Sequence, residues 1–217
     1  MAYDHEEQEQ LDSLKVWWNK YGNLSTWLLI IILSVFSVWK AWGIYQGKQA
    51  GQASQLYEEV QKAVQDKDAA KIARSVSDVQ DKFSGTVYAQ MASMLAAKNA
   101  FDANDIKTAK AQLTWVQEHG KTDEYKYLAK LRLAGILLDE KSYDEALKLV
   151  SGDFPAEMSG IVADRKGDIL VAQAKIEEAR GAYQLALDSG TDKNPARPLI
   201  QLKLDAIGGS PAKSAIK

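Results

Sequence analysis

The residues that could do chemistry are few and scattered. The two histidines, His5 and His119, lie far apart, His119 at the end of an expected helix. Neither has carboxylate neighbours at metal-ligand spacing on one helix face. There is no cysteine, which excludes disulfides, thiolate zinc sites and a cysteine nucleophile. The acidic pairs Glu58–Glu59 and Glu177–Glu178 are adjacent in sequence, so on a helix they point in different directions and read as solvated faces rather than as acid–base pairs. No GxSxG, HExxH, Walker or GxGxxG pattern occurs. No catalytic, cofactor-binding or metal-ligating residue is therefore expected, and no enzymatic activity. The chemistry left is that of surfaces: apolar contact, helix packing and charge pairing.

The stretch that organises those surfaces is Tyr21–Trp39, YGNLSTWLLIIILSVFSVW, uncharged throughout and bounded by lysines at both ends, Lys20 and Lys40. At ~1.5 Å per residue it matches the ~30 Å hydrocarbon core of a bilayer. Trp17, Trp18 and Tyr21 cluster at one end, and Trp39, Trp42 and Tyr45 at the other. Amphipathic rings belong at the headgroup level. A membrane-spanning helix is expected over 21–45. A signal peptide fits less well: the apolar run is too long, no small-residue cleavage site follows, and the preceding segment is acidic. That segment, 1–20, reads as an acidic tail, with residues 1–13 lacking structure. The lysines around the span (Lys15 and Lys20 before, Lys40, Lys48 and Lys62 after) do not fix its orientation and lean slightly against a cytoplasmic N-terminus.

Net charge is −2 over 217 residues. The acidic tail carries −3 and the rest of the chain +1, so there is no basic footprint for nucleic acid. Gly43, Gly47 and Gly51 recur every fourth residue beyond the span. That spacing suits close helix–helix approach, or a flexible collar between membrane and domain. A helix is expected to run on without a break, since Leu56, Val60, Ala63 and Val64 form an amphipathic stripe.

From Ala53 onward the chain repeats. Ala73, Ala109, Ala146 and Ala179 share a context and recur at nearly even intervals, the period of a helix–turn–helix unit. Twelve residues before the last three sit Ala97, Ala134 and Gly167, all small; the first repeat has Gln61 there. Three residues before the same alanines sit Ile106, Tyr143 and Ile176, all large. Small residues let antiparallel helices close up, and the large one plugs the turn. Ser142 with Glu145 reads as a capping box. Gly85, Gly120 and Gly190 read as helix C-termini. Helices are expected near 53–66, 69–83, 87–102, 105–119, 124–140, 143–150, 157–173, 176–188 and 196–207, with a disordered tail over 208–217. The fold class is all-α: an N-terminal membrane helix, then a solenoid of about four helical hairpins over 46–207.

The repeats resemble the tetratricopeptide repeat. Together with the acidic tail, the single membrane helix and the run GIVADRKGDILVAQAKIEEARGAYQLAL at Gly160–Leu187, they resemble the YfgM family of Gram-negative bacteria, ancillary subunits of the SecYEG translocon. The resemblance implies a cytoplasmic N-terminus, an inner-membrane anchor in the lipid bilayer and a periplasmic repeat domain. It also implies partnership with the translocon and with a PpiD-like periplasmic chaperone, in assisting the passage of exported proteins. The absence of cysteine suits an oxidising compartment. A self-associating scaffold, forming a homodimer through the glycine ladder, is the competing reading.

In a tetratricopeptide array the first helix of each pair lines the concave side. Counting back from the aligned alanines gives the candidate partner-binding residues: Met91, Met94, Lys98 and Phe101; Leu128, Leu131 and Leu138; Ile161, Asp164 and Asp168. The set is apolar with a few charges, which suits an amphipathic helix or an unfolded segment laid in a groove. Alternatively these residues pack repeat on repeat. Met94 and Asp164 are expected to be open, Leu131 and Phe101 to be core.

Overall fold

The computed structural model describes residues 3–189 and 194–208, with side chains from residue 9 onward. In chain order the elements are α1 (Tyr3–Gln65), α2 (Ala69–Phe83), α3 (Val87–Asp102), α4 (Ile106–His119), α5 (Asp123–Asp139), α6 (Tyr143–Val150), a 3₁₀ turn (Ala156–Met158), α7 (Ser159–Ala172), α8 (Ile176–Asp188) and α9 (Arg197–Ala206). The chain divides into two compact units, Met1–Gly51 and Gln52–Lys217. Gly190, the His5 side chain and the tail from residue 209 lie outside the described residues.

In the first unit α1 begins at Tyr3, so residues 3–13, expected without structure, are helical. Once a helix is nucleated each added residue costs little, and the acidic side chains there favour a helix N-terminus. The uncharged stretch is open along its length, with Ile30 46% and Trp39 71% exposed. Its hydroxyls turn back on the backbone: Thr26 donates to the Gly22 carbonyl and Ser37 to that of Leu33, both at 2.7 Å. The terminal aromatics cluster on themselves, Trp17 with Tyr21 and Trp42 with Tyr45, and Lys20 lies over the Tyr21 ring.

The second unit is a stack of helical hairpins: the end of α1 with α2, then α3/α4, α5/α6 and α7/α8, closed by α9. One turn chemistry makes all four hairpins. Lys67, Asn104, Lys141 and Ala174 have φ of 55°, 60°, 64° and 59°, one such residue at each hairpin turn. The next residue in each case donates its N–H to the carbonyl five back (Asp68 to Ala63, Asp105 to Ala100, Ser142 to Leu137, Lys175 to Leu170) at 2.8–3.0 Å. This is the Schellman closure of one helix. The same residue is then the N-cap of the next helix. Asp68 and Asp105 complete the cap, their carboxylates accepting from the N–H of Lys71 and Thr108. Ser142 does not, and its own N–H goes to the Leu137 carbonyl rather than to Glu145, so the expected Ser142–Glu145 capping box does not form and Ser142 is an N-cap by position alone. None of the four left-handed positions is glycine.

That turn corrects the repeat register. Four residues past each cap stand Ile72, Ala109, Ala146 and Ala179, all buried, whereas Ala73 is exposed. The partner twelve residues earlier in the first hairpin is Val60, fully buried, not the exposed Gln61. A larger Val60–Ile72 pair does there what Ala97–Ala109, Ala134–Ala146 and Gly167–Ala179 do later. Gly167 marks the tightest contact: a Cβ there would stand 2.4 Å from Cε1 of Tyr183 on α8. Gly85 and Gly120 follow α2 and α4 without left-handed φ. Gly120 is small for another reason, since a Cβ there would lie 2.5 Å from the Val116 carbonyl oxygen.

The cores are chained rather than central. Val60, Ala63, Ile72, Val76 and Val79 pack with α3. A larger cluster runs from Met94 to Ile169, through Leu113, Val116, Leu131 and Leu137. Trp115 touches both, and Leu147 links the larger cluster to that of Leu170, Ala179 and Ala182. Each hairpin depends on its neighbours. One buried polar side chain is matched across helices. Gln90, 1% exposed, accepts at Oε1 from the Lys121 and Thr122 N–H groups, tying α3 to the α4–α5 turn.

Candidate partner-binding cleft

The end of α1, α3, α5 and α7, the first helices of their pairs, line one side of the repeat unit. Two adjoining pockets open there. One, of about 290 Å³, is walled by Tyr57, Met91, Met94, Leu95, Tyr125 and Leu128. The other, of about 410 Å³, is walled by Phe101, Leu113, Gly135, Ile136, Asp139 and Arg165. Lys98 and Arg132 border both, so the two form a continuous cleft. On α5 the lining residues Tyr125, Leu128, Arg132, Gly135 and Asp139 recur at helical spacing, which is why one face supplies them all.

Of the residues expected to face a groove, Met91, Met94, Lys98, Phe101 and Leu128 line the cleft. Met94 does so from a buried position, 5% exposed, and belongs to the core, contrary to its expected openness. Phe101, expected in the core, is 44% exposed. Leu131 is core, and Leu138 packs against the same cluster, so neither lines the cleft. Ile161 is exposed but lines neither pocket. Asp164 and Asp168 are not open groove residues. Lys203 of α9 reaches Asp164 and Asp168 at 2.8 Å each, and the Tyr183 hydroxyl donates to Asp168 at 2.9 Å. Burial works against the Lys203 charge, but the two carboxylates outweigh it and hold the ammonium above its ordinary pKa. Burial, then the Asp168 charge, pushes the Tyr183 hydroxyl up. These groups clasp α9 onto α7 and α8. Arg180 adds to the clasp by donating to the Ile207 carbonyl.

Sequence reasoning missed Tyr57, Leu95, Tyr125, Arg132, Asp139 and Arg165. The back-count holds on α3 and at Leu128, but further along α5 and on α7 the true positions fall one residue later: Arg132 for Leu131, Asp139 for Leu138, Arg165 for Asp164. The signal was the α5 stripe itself, polar residues included. The cleft charges are partly matched. Lys98 pairs with Asp102 one turn on. Arg165 stands 3.7 Å from Asp168, which is already taken by Lys203 and Tyr183. Arg132 has no ion pair among the described residues. His119 stacks on Trp115, one turn back on α4, ring centroids 5.2 Å apart. Among the described residues no three His, Asp or Glu side chains gather as a metal site.

On the first unit, one helix among the described residues is long and apolar enough to cross a membrane, and none of its most apolar window is buried. A Cβ at Gly43, Gly47 or Gly51 would meet no atom within 4 Å.

Comparison with known proteins accounts for both units at once. The tetratricopeptide repeat-like domain family matches residues 15–209, apolar stretch included. An ancillary SecYEG translocon subunit of Neisseria gonorrhoeae is 31% identical over 211 residues, 95% of this chain and 100% of that protein. The protein so named in Haemophilus influenzae is 30% identical over 95% of this chain and 100% of its own length. That of Escherichia coli is 26% identical over 93% and 96%. The repeat register, the single apolar helix and this end-to-end similarity agree: the chain belongs to the tetratricopeptide repeat-like family of ancillary SecYEG translocon subunits, the YfgM family.

Proposed function

We propose that this chain is a non-enzymatic, single-pass inner-membrane adaptor of the SecYEG translocon. The observation that carries the reading is the end-to-end match to relatives bearing that name, with the apolar stretch inside the matched region. An open apolar helix of bilayer length supports the anchor. In this reading α1 places the chain beside the translocon, and Gln52–Lys217 lies in the periplasm. There the cleft engages partners, a PpiD-like membrane-anchored chaperone first, and so links translocation to chaperone capture. The missing cysteines suit that compartment. The glycine ladder, open on the helix, favours a second reading as a self-associating scaffold.

Affinity purification of the tagged full chain from mild-detergent membranes tests the reading. Translocon subunits and the chaperone should co-elute in salt-resistant amounts. Elution of the chain with itself alone would favour the scaffold. Orientation is read separately with Lys148→Cys, the only thiol then present. A membrane-impermeant maleimide should label it once the outer membrane is opened, and labelling only after inner-membrane lysis would reverse the topology.

A further inference from the structure

We propose that the cleft is built for an anionic apolar segment: a partner peptide whose carboxylate sits between Arg132 and Arg165 and whose large apolar side chains fill the pockets on either side. The proposal rests on the reading that the cleft is where the domain meets its partners, and it adds the chemistry of the ligand. Met91, Leu95 and Leu128 with the rings of Tyr57 and Tyr125 make one wall apolar, and Phe101 and Ile136 serve the other pocket. Pockets of about 290 and 410 Å³ take one or two large side chains each.

The charge along the cleft is only partly spent. Lys98 and Asp102 neutralise one another, leaving Arg132 and Arg165 against Asp139. Arg132 has no ion pair among the described residues, and the carboxylate nearest Arg165 is committed elsewhere. The two arginines lie on neighbouring first helices and flank Gly135. A Cβ at Gly135 would stand 3.6 Å from the Arg165 guanidinium carbon, so that guanidinium lies over Gly135 at the groove floor. Guanidinium forks match carboxylate geometry and carry their charge with a weak hydration shell. A neutral or cationic segment would leave Arg132 unmatched, and Arg165 with only its 3.7 Å contact to Asp168, in a partly desolvated groove, which penalises the wrong ligand as well as rewarding the right one. Phosphate of nucleic acid would leave the apolar walls unused.

The test uses the full chain in lipid nanodiscs and a fluorescent 12-residue peptide with a central Glu flanked by Leu and Phe. Its twins carry Gln or Lys at the centre, and an oligothymidine serves as the phosphate probe. By fluorescence anisotropy, corrected for empty nanodiscs, the Glu peptide should bind at least ~10-fold more tightly than the Gln twin. The gap should shrink with salt. Arg132→Gln with Arg165→Gln should abolish the gap while leaving the weak binding of the Gln twin. Arg132→Lys should keep only part of it, since it retains charge but not the fork. Equal binding of the three peptides, no binding, preference for oligothymidine, or a gap that survives the double variant would each overturn the proposal. Thermal melts of the variants identify any loss due to unfolding, in which case Arg132→Lys alone decides. Co-purification with the translocon reads the adaptor assignment independently: a Glu-selective cleft in a chain that captures no translocon would sink that assignment and leave the cleft chemistry standing.

Discussion

Gly167→Ala tests the packing logic at its tightest point. The added Cβ would lie 2.4, 2.5 and 2.9 Å from Cε1, Cδ1 and Cζ of Tyr183. Carbon pairs are comfortable at about 3.5–4.0 Å, so helix and ring must part by roughly 1 Å. The ring cannot simply swing away. It is 3% exposed, and its hydroxyl is held by Asp168, which also binds Lys203. Overpacking of this kind costs about 1–3 kcal/mol, and the pinned ring puts it at the upper end. Replacing glycine in a helix interior returns about 1 kcal/mol. The net loss is then about 1–2 kcal/mol, or ~2–8 °C in Tm for a unit of this size. Circular dichroism melts of a Gln52–Lys217 fragment measure it. Tyr183→Leu in the same fragment removes the ring, and the double variant should show a coupling of about 1 kcal/mol or more in the rescuing direction. A Gly167→Ala melt at or above the native one, or strictly additive losses, would refute the claim that this glycine exists to seat the ring.

Three further outcomes follow from the turns and the clasp. Ala174→Gly should raise stability by about 0.5–1 kcal/mol, because a non-glycine residue at φ 59° carries strain that exceeds the added freedom of the unfolded chain; a lower melting temperature would contradict the left-handed turn. Ser142→Asp should add about 0.5–1 kcal/mol, since Asp68 and Asp105 make the missing cap bond from similar backbone angles; denaturant midpoints at unchanged m-value report it. The pKa of Lys203 is raised on folding above 10.5, so its stabilisation is fully present below that value and is lost as pH rises through the folded-state pKa. The deficit of Lys203→Met against the native chain should therefore be constant from pH 7 to 9 and close at more alkaline pH, and a deficit that is pH-independent throughout would assign Lys203 to packing alone.

The helices were legible because their ends carry local chemistry. Asp68, Asp105 and Ser142 stand where chains turn into helices, and Gly152 with Pro155 stops α6 at Val150. The small-on-small contacts were legible in the three later hairpins, where Ala97, Ala134 and Gly167 face alanines. The first hairpin hid its register because Val60 and Ile72 meet the same geometric need with larger side chains, and the nearby Ala73 offered a false match. Lys67, Lys141 and Ala174 gave no sign of left-handed turns, and of the four only Asn104 is of a type that favours them. The cleft was half legible. Large apolar residues such as Leu131 and Leu138 drew the groove prediction onto the core, one position short of the charged residues that border the opening. The clasp was not legible locally: Lys203 on α9 meets Asp164 on α7 from far along the chain, a separation no short window covers.

In the proposed function this chain sits beside the translocon through its apolar helix and meets partners through its repeat cleft. Site-specific photocrosslinking in living cells tests both halves. A photoreactive amino acid at Leu28 or Val35, exposed on the apolar stretch, should yield an adduct containing a translocon subunit. One at Lys98, at the junction of the two pockets, should yield an adduct containing a periplasmic chaperone. Adducts from all three positions containing only a second copy of this chain would contradict the account.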